Sequence, residues 1–407
     1  MKALYCLFIC TFIFLPLCFA EGDIEALKKE VEELKVTVEE LKKIVSSQEV
    51  GKPTIEKPSP IPQQAIVEKP AAPSRAISQT LNPNISIIGD FVGNVTDEES
   101  NTEGDRFSLR EAELGIQAVV DPYARADFFI GVEEETPGEY KVDLEEGYIT
   151  ALTLPWDLQA KAGKFYQNFG KVNRIHRPET SYVDSPNILT NYFGEESRLK
   201  EPGISISSLI PNPWDKYMEL TLEILNGENA MSFAGSNSRA PAYLAHLKNF
   251  FDITEDSTIE LGFSGITGFN DERREQTTNI EGIDLTFKWR PLKEGLYKSF
   301  QFQNEFFFSQ REESDSGIDS FGFYSFAKYQ LARRWFVGGR YDYSEFPASS
   351  VEHEWAVSPI LEFWMSEFNR LRLQYKHTDR NFGSEKEVNE VFLQWTYTLG
   401  PHRPEPY

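Results

Sequence analysis

The stretch Gly282-Ile283-Asp284-Leu285-Thr286-Phe287-Lys288-Trp289-Arg290 decides the fold. In an extended chain Ile283, Leu285, Phe287 and Trp289 share one side, and Gly282, Asp284, Thr286, Lys288 and Arg290 share the other. A helix would scatter both sets around its axis, because its period is 3.6 rather than 2. The same alternation recurs along the chain. Phe300, Phe302, Phe306 and Phe308 alternate with Gln301, Gln303, Glu305 and Ser309, and Val391, Leu393, Trp395, Tyr397 and Leu399 alternate with Gln394, Thr396 and Thr398. From Asn84 onward no helical period is sustained.

Sixteen such strands are predicted, beginning near Asn84, Arg106, Ala124, Tyr140, Leu158, Ile204, Tyr217, Ala240, Thr258, Asn279, Ser299, Phe321, Trp335, Glu354, Arg370 and Glu387. Their connections alternate in character. Asp121-Pro122-Tyr123, Pro155-Trp156-Asp157, Pro211-Asn212-Pro213 and Ala332-Arg333-Arg334 read as short turns. Thr96 to Asp105, Asn226 to Arg239 and Arg311 to Ser320 read as longer, polar loops. Short periplasmic turns opposite long external loops mark an all-β, transmembrane antiparallel β-barrel, expected over 84–407 with both ends in the periplasm. A soluble sandwich would alternate too, but its core could not hold the charges on the wet face: Glu111, Glu113, Arg125, Asp127, Lys161, Glu223, Asp284, Lys288, Arg340, Asp342, Arg370 and Arg372. A water-filled lumen can. Of these, Glu111, Arg125, Asp127, Asp284, Lys288, Arg340, Arg370 and Arg372 are the expected lumen-facing charges.

Composition agrees. The 407 residues carry a formal charge of -23, which argues against nucleic acid as a partner, and 14% of them are aromatic. Cys6, Cys10 and Cys18 are the only cysteines, and all fall in an apolar N-terminal run that ends Cys18-Phe19-Ala20. Residues 1–20 read as a secretory signal peptide, leaving a mature chain with no thiol. Over 23–48, Ile24, Leu27, Val31, Leu34, Val38, Leu41 and Val45 form an a/d heptad seam, predicting a short α-helical coiled coil. Residues 49–83 are proline-rich and read as a periplasmic linker. No His pair has metal-ligand spacing and no nucleotide or hydrolase motif occurs, so neither an enzyme, a cofactor nor a metal site is expected. His377-Thr378-Asp379 is the nearest local hint of hydrolase chemistry.

The longest connection, 171–203, lies between the fifth and sixth strands. Lys161, Lys164, Lys171, Arg174, His176, Arg177 and Arg198 cluster there, with Lys200, in an otherwise acidic chain. Tyr182, Val183, Ile188, Leu189, Tyr192 and Phe193 indicate that this loop packs. Folded into the lumen it would narrow the pore, and those basic residues would form the constriction. On the surface, its charges would face water or lipopolysaccharide.

Arg110-Glu111-Ala112-Glu113-Leu114-Gly115, then Asp121-Pro122-Tyr123-Ala124-Arg125-Ala126-Asp127, Glu145-Glu146-Gly147-Tyr148 and Lys161-Ala162-Gly163-Lys164-Phe165 resemble the opening of porin-like outer-membrane barrels. The layout is similar to that of the phosphate-selective porins O and P. Gly170-Lys171-Val172-Asn173-Arg174-Ile175-His176 and the ending near Leu399-Gly400-Pro401-His402 resemble one branch of such proteins. The resemblance covers the barrel alone. It implies a 16- to 18-stranded trimeric channel for passive diffusion of small hydrophilic solutes or ions. Expected partners are outer-membrane lipid and lipopolysaccharide, two further copies of the chain, and peptidoglycan through the coiled coil. The alternative is a barrel without transport, acting as an adhesin or cell-wall tether.

Overall fold

The computed structural model describes residues 83–101, 104–194, 198–235, 239–314 and 316–400. The expected signal peptide, the coiled coil and almost all of the linker lie outside them. Sixteen strands follow in order: β1 (Asn84–Thr96), β2 (Arg106–Asp121), β3 (Ala124–Thr136), β4 (Glu139–Ala151), β5 (Leu158–Tyr166), β6 (Lys200–Leu209), β7 (Tyr217–Leu225), β8 (Ala242–Thr254), β9 (Ser257–Phe269), β10 (Thr277–Trp289), β11 (Phe300–Glu312), β12 (Gly317–Ala332), β13 (Trp335–Phe346), β14 (Ser349–Ser366), β15 (Asn369–Arg380) and β16 (Glu387–Leu399). Each pairs antiparallel with its sequence neighbours, and β1 pairs with β16 from Ile87↔Leu399 to Thr96↔Glu390, closing the barrel. Closure leaves no terminal edge, and an even strand number lets an antiparallel sheet close on itself.

The period of two sets the faces. Ile283 and Phe308 are exposed on the outside, while Asp284 and Glu305 between them are buried inside. The outward aromatics of β11–β14 form a layer in which Phe306 stacks on Phe323 at 5.6 Å and Tyr341 lies 5.8 Å from Phe323. We call the end bearing 97–105, 167–199 and 226–241 the loop end, and the other the turn end. Arg311 to Ser320, read above as a long loop, is mostly strand: β11 and β12 pair as far as Glu312↔Gly317. Polar residues at the loop end pair as readily as apolar ones, so polarity alone misplaces the strand ends. Similarly, β6 starts at Lys200 rather than Ile204, so the connection it follows spans 167–199.

Two bulges matter for the interior. Between Asp90 and Phe91 the register skips Arg110, which turns its guanidinium onto Asp90 at 2.6 Å. Between Phe129 and Ile130 it skips Glu145, so that Glu145 and Glu146 are both buried on the inner side despite being adjacent in sequence.

Candidate functional site: the segment across the lumen

Residues 167–194 leave the top of β5 and run through the barrel interior, and 198–199 lead back into β6. Their anchors are inward side chains of strands far apart in sequence. The Gly170 amide donates to Ser264 Oγ on β9 at 2.9 Å, the Lys171 ammonium meets Glu260 at 2.9 Å, and the Val172 amide donates to Glu305 on β11 at 2.9 Å. Gly170 has φ +61, and a Cβ there would sit 2.1 Å from Glu305 Oε2, so glycine is required twice over. A 3-10 turn (Val172–Arg174) then sends the chain across to β2 and β4, where His176 is held between Glu113 (2.5 Å) and Glu146 (2.9 Å).

From there the chain reaches β15. Arg370 donates to the Pro178 carbonyl at 2.6 Å, and Arg372 to that of Thr180 at 2.8 Å. The Val183 amide donates to Gln374, and the Val183 carbonyl accepts from Arg110. Asp184 pairs with Arg340 on β13 at 2.7 Å and with Lys376 at 2.8 Å. A helix, α1 (Asn187–Phe193), follows Pro186 and stops at Gly194, whose φ is +89. Seven residues are too few to hold a helix in water, so packing holds this one. Ile188, Leu189, Tyr192 and Phe193 are fully buried in a cluster with Phe169, Phe307, Tyr324 and Phe326. The ring of Phe169 lies 5.0 Å from Phe307, and that of Tyr182 lies 5.5 Å from Phe326. Asn173 staples the two ends of the segment together: its amide donates to the carbonyls of Gln167 and Leu199 at 3.0 and 2.9 Å, and its Oδ1 accepts from the Leu199 amide at 3.0 Å.

Burial opposes the charged form of His176, but the attraction and hydrogen bonds of Glu113 and Glu146 outweigh it and push the imidazole up to about 10. His176 is therefore a buried cation clamped by two carboxylates. Its ring also packs edge-on against Tyr166 at 5.1 Å and near Phe129 at 5.0 Å. Burial likewise would raise the Asp184 carboxyl, yet Arg340 and Lys376 hold it well below the usual range.

The basic residues singled out in the sequence do not form one exposed ring. Lys171 and His176 are buried in ion pairs, and Arg198 is buried with its guanidinium on the carbonyls of Val172 (3.3 Å) and Ile175 (2.5 Å). Lys164 pairs with Asp143 at 3.3 Å, and Lys200 with Glu145 at 2.8 Å. Arg174 donates to Asn168 at 3.1 Å, Lys161 lies 4.3 Å over the Tyr148 ring, and Arg177 is partly exposed within the segment.

The expected lumen charges all fall on the inner face, but most of them are not bathed in water. Glu111, Asp127, Asp284, Arg340, Arg370 and Arg372 are buried, while Arg125 and Lys288, nearer the turn end, remain partly exposed. Arg340 joins Asp342 and Asp184, Arg372 joins Glu362 at 2.7 Å, and Arg125 joins Asp127 at 2.7 Å. The inserted segment covers this level of the lumen. Sequence reasoning put Glu113 and Glu305 on the wet face without their partners, and it did not single out Glu146, Asp184, Glu260 or Phe307 as site residues. Within Phe306-Phe307-Phe308 the middle ring alone points inward, as strict alternation implies. His377 sits on the outer face with Nδ1 2.9 Å from Asn389 Oδ1.

No family model matches the chain. An uncharacterized protein of Aquifex aeolicus (strain VF5) is 29% identical over 341 residues, spanning 74% of this chain and 70% of its own length. Among solved structures, the anion-selective porin of Comamonas acidovorans is similar with a TM-score of 0.54 at 9% identity, over 78% of this chain and 99% of that one. The outer membrane channel DcaP of Acinetobacter baumannii gives 0.54 at 11% identity, over 78% and 97%. OmpT of Vibrio cholerae in its trimer form gives 0.51 at 11% identity, over 78% and 100%. At these identities the likeness is one of fold: the chain has the porin-like, closed barrel architecture of outer-membrane channels.

Proposed function

We propose that the protein is an outer-membrane channel through which small hydrophilic solutes or ions diffuse passively, with the segment 167–199 as its constriction. One observation carries the reading: a closed sixteen-stranded wall, apolar outside and charged inside, encloses a lumen wide enough to hold an entire folded segment. Selectivity would then follow from what the segment leaves open and from the charges beside it. Arg125, Lys161, Lys288 and Lys328 face the lumen toward the turn end, whereas Glu354 and Glu390 face it toward the loop end. A solute meets an acidic mouth and then a basic basin. The resemblance to phosphate-selective porins fits the basin, and a homotrimer with its coiled coils in the periplasm fits the same reading.

The depth to which the segment fills the lumen favours one second reading, a sealed barrel that tethers the membrane to the cell wall through its N-terminal heptads. Planar-bilayer recording under a salt gradient separates the two. The channel reading expects small conductance steps from the intact protein, larger steps once 171–198 is replaced by a short Gly-Ser linker, and a reversal potential whose sign names the preferred ion. Folded, inserted protein that stays silent until the segment is removed would support the tether. Silence from both forms refutes the channel.

A further inference from the structure

The wall is not closed in the same way at its two ends. From the turn end, β4 and β5 pair only as far as Gly147↔Lys164, while β5 and β6 pair on to Tyr166↔Lys200. Above that level the inner side chains of β3 and β4 face residues 198–201 and 228–230 across a space of about 390 Å³ at the loop end. That volume lies at the low end of the range small-molecule sites occupy, roughly 300–1,000 Å³.

One side of this pocket is satisfied within itself. Glu201 accepts from the amides of Gly227 and Asn229, both at 2.7 Å. The Asn229 side chain donates to the carbonyls of Phe193 at 2.8 Å and Arg198 at 3.2 Å. The Arg198 guanidinium is engaged on carbonyls of the inserted segment. These groups fix the shape of the pocket and need no ligand.

The other side is not balanced. Tyr166 and Lys200 hold Glu145 at 2.5 and 2.8 Å. Lys164 and Lys200 both approach Asp143, but at 3.3 and 3.5 Å, longer than the roughly 2.7–2.9 Å of a tight charged hydrogen bond. Lys141 turns away to Glu135 at 3.4 Å. Glu133 is left. It is half-buried, its carboxyl lies within hydrogen-bond reach of Glu145, and among the described residues no cation is paired with it. Gly131 permits this approach: a Cβ there would sit 3.3 Å from Glu145 Cγ and 3.5 Å from Glu133 Oε1. The carboxyls of Glu133, Asp143 and Glu145 thus share the ammonium groups of Lys164 and Lys200, and Lys164 is held loosely. Like charges side by side disfavour each other unless a positive charge joins them. The pocket lacks a cation at Glu133 and has a free donor at Lys164.

We propose that this loop-end pocket binds small zwitterionic solutes, of amino-acid or short-peptide size, with the ammonium on Glu133 and the carboxylate on Lys164. The inference deepens the channel reading and rests on it: it names the class of solute held at the mouth. A simple anion would meet Glu133, Asp143 and Glu145, and a simple cation would meet Lys164 and Lys200. A solute carrying both charges suits both.

Calorimetric titration of the full chain in detergent tests it. The probes are free glycine, glycylglycine and triglycine, with N-acetylglycine and glycinamide as analogues that each lack one charge. At least one zwitterion should bind saturably, about tenfold or more tighter than either analogue, the loss expected for a missing charged hydrogen bond. Glu133→Gln should weaken the zwitterion by a similar factor and leave N-acetylglycine unchanged. Lys164→Gln should weaken it too and leave glycinamide unchanged. Circular dichroism should report the wild-type barrel in both. Folded wild-type protein that binds none of the three zwitterions overturns the proposal, as does one that binds an analogue equally well or whose affinity ignores both substitutions. Should a variant not fold, the comparison of zwitterion with analogue on the wild-type protein still decides. Titration needs no conduction. A protein that binds zwitterions yet stays silent in a bilayer keeps the site and sinks the channel, whereas one that conducts without binding them sinks the site alone.

Discussion

His176→Ala removes the cation that holds the middle of the lumen segment. In the intact protein the ring touches two buried carboxylates, Glu113 at 2.5 Å and Glu146 at 2.9 Å, and is itself only 2% exposed. Removing one partner of a buried ion pair typically costs about 3–5 kcal/mol, because the remaining charge stays unpaired in a poor solvent. The pKa gives a figure of the same order: a rise from 6.5 to about 10 corresponds to roughly 5 kcal/mol of preference for the protonated ring. A raised pKa means that this contribution is fully present below 6.5 and is lost as pH rises through about 10. Glu111, Glu145 and Arg177 share the same side of the segment and will modulate the midpoint. Loss on this scale favours the undocked segment by about 10²- to 10⁴-fold. The mature chain is expected to lack cysteine, so Ser185→Cys, inside the segment, gives one thiol to follow. Its labelling by a water-soluble maleimide should be slow at pH 7, accelerate above pH 10, and be fast at pH 7 in His176→Ala, with conductance rising in parallel. Glu113, Glu146 and the barrel wall remain, so circular dichroism should not change. If His176→Ala leaves both the labelling rate and the conductance as in wild type at every pH, the clamp is not what holds the segment.

Arg340→Met should lower barrel stability by about 3–5 kcal/mol, read as a fall in the thermal midpoint in detergent, because Asp184 and Asp342 each lose a 2.7 Å partner; Arg340→Lys should restore little of it, lacking the planar fork. Gly170→Ala should cost more than about 1 kcal/mol by the same readout, since the position has φ +61 and the new methyl would press on Glu305. The depressed pKa of Asp184 implies stability that is present above the ordinary aspartate value of 3.8 and is lost only as pH falls well below it, so Ser185→Cys should stay protected at pH 4 in wild type and be exposed there in Asp184→Asn. Under a salt gradient, Lys161→Gln combined with Lys288→Gln should move the reversal potential toward cations; an unchanged potential would place the ion path elsewhere.

The wall of this barrel was legible in one dimension. Where Phe, Ile and Trp alternate with Gln, Asp and Lys, as over Ile283–Trp289 and Val391–Leu399, the pleat fixes which side chain faces which way, and β1, β2, β3, β5, β7, β13 and β16 start where the pattern begins. Strand ends were less legible. At Gly317–Ser320 and Lys200–Gly203 the chain is polar yet still paired, because backbone hydrogen bonds do not depend on side-chain polarity. The segment's apolar residues, Tyr182 to Phe193, signalled that it packs against something.

What tertiary structure alone decided is where each charge ends up. Lys171 meets Glu260, His176 meets Glu113, and Arg340 meets Asp184, pairs separated along the chain by 89, 63 and 156 positions. A sequence shows a basic cluster in an acidic protein and suggests an open ring of charge. Closing the sheet brings distant strands around one lumen, and burial there makes an unpaired charge too costly to keep. The bulge that turns both Glu145 and Glu146 inward, and the glycine that lets Gly170 lie against Glu305, follow from that closure. The sequence by itself determined the two faces of the wall, because side-chain alternation is local. The interior depended on the fold, because electrostatic pairing across a lumen is not.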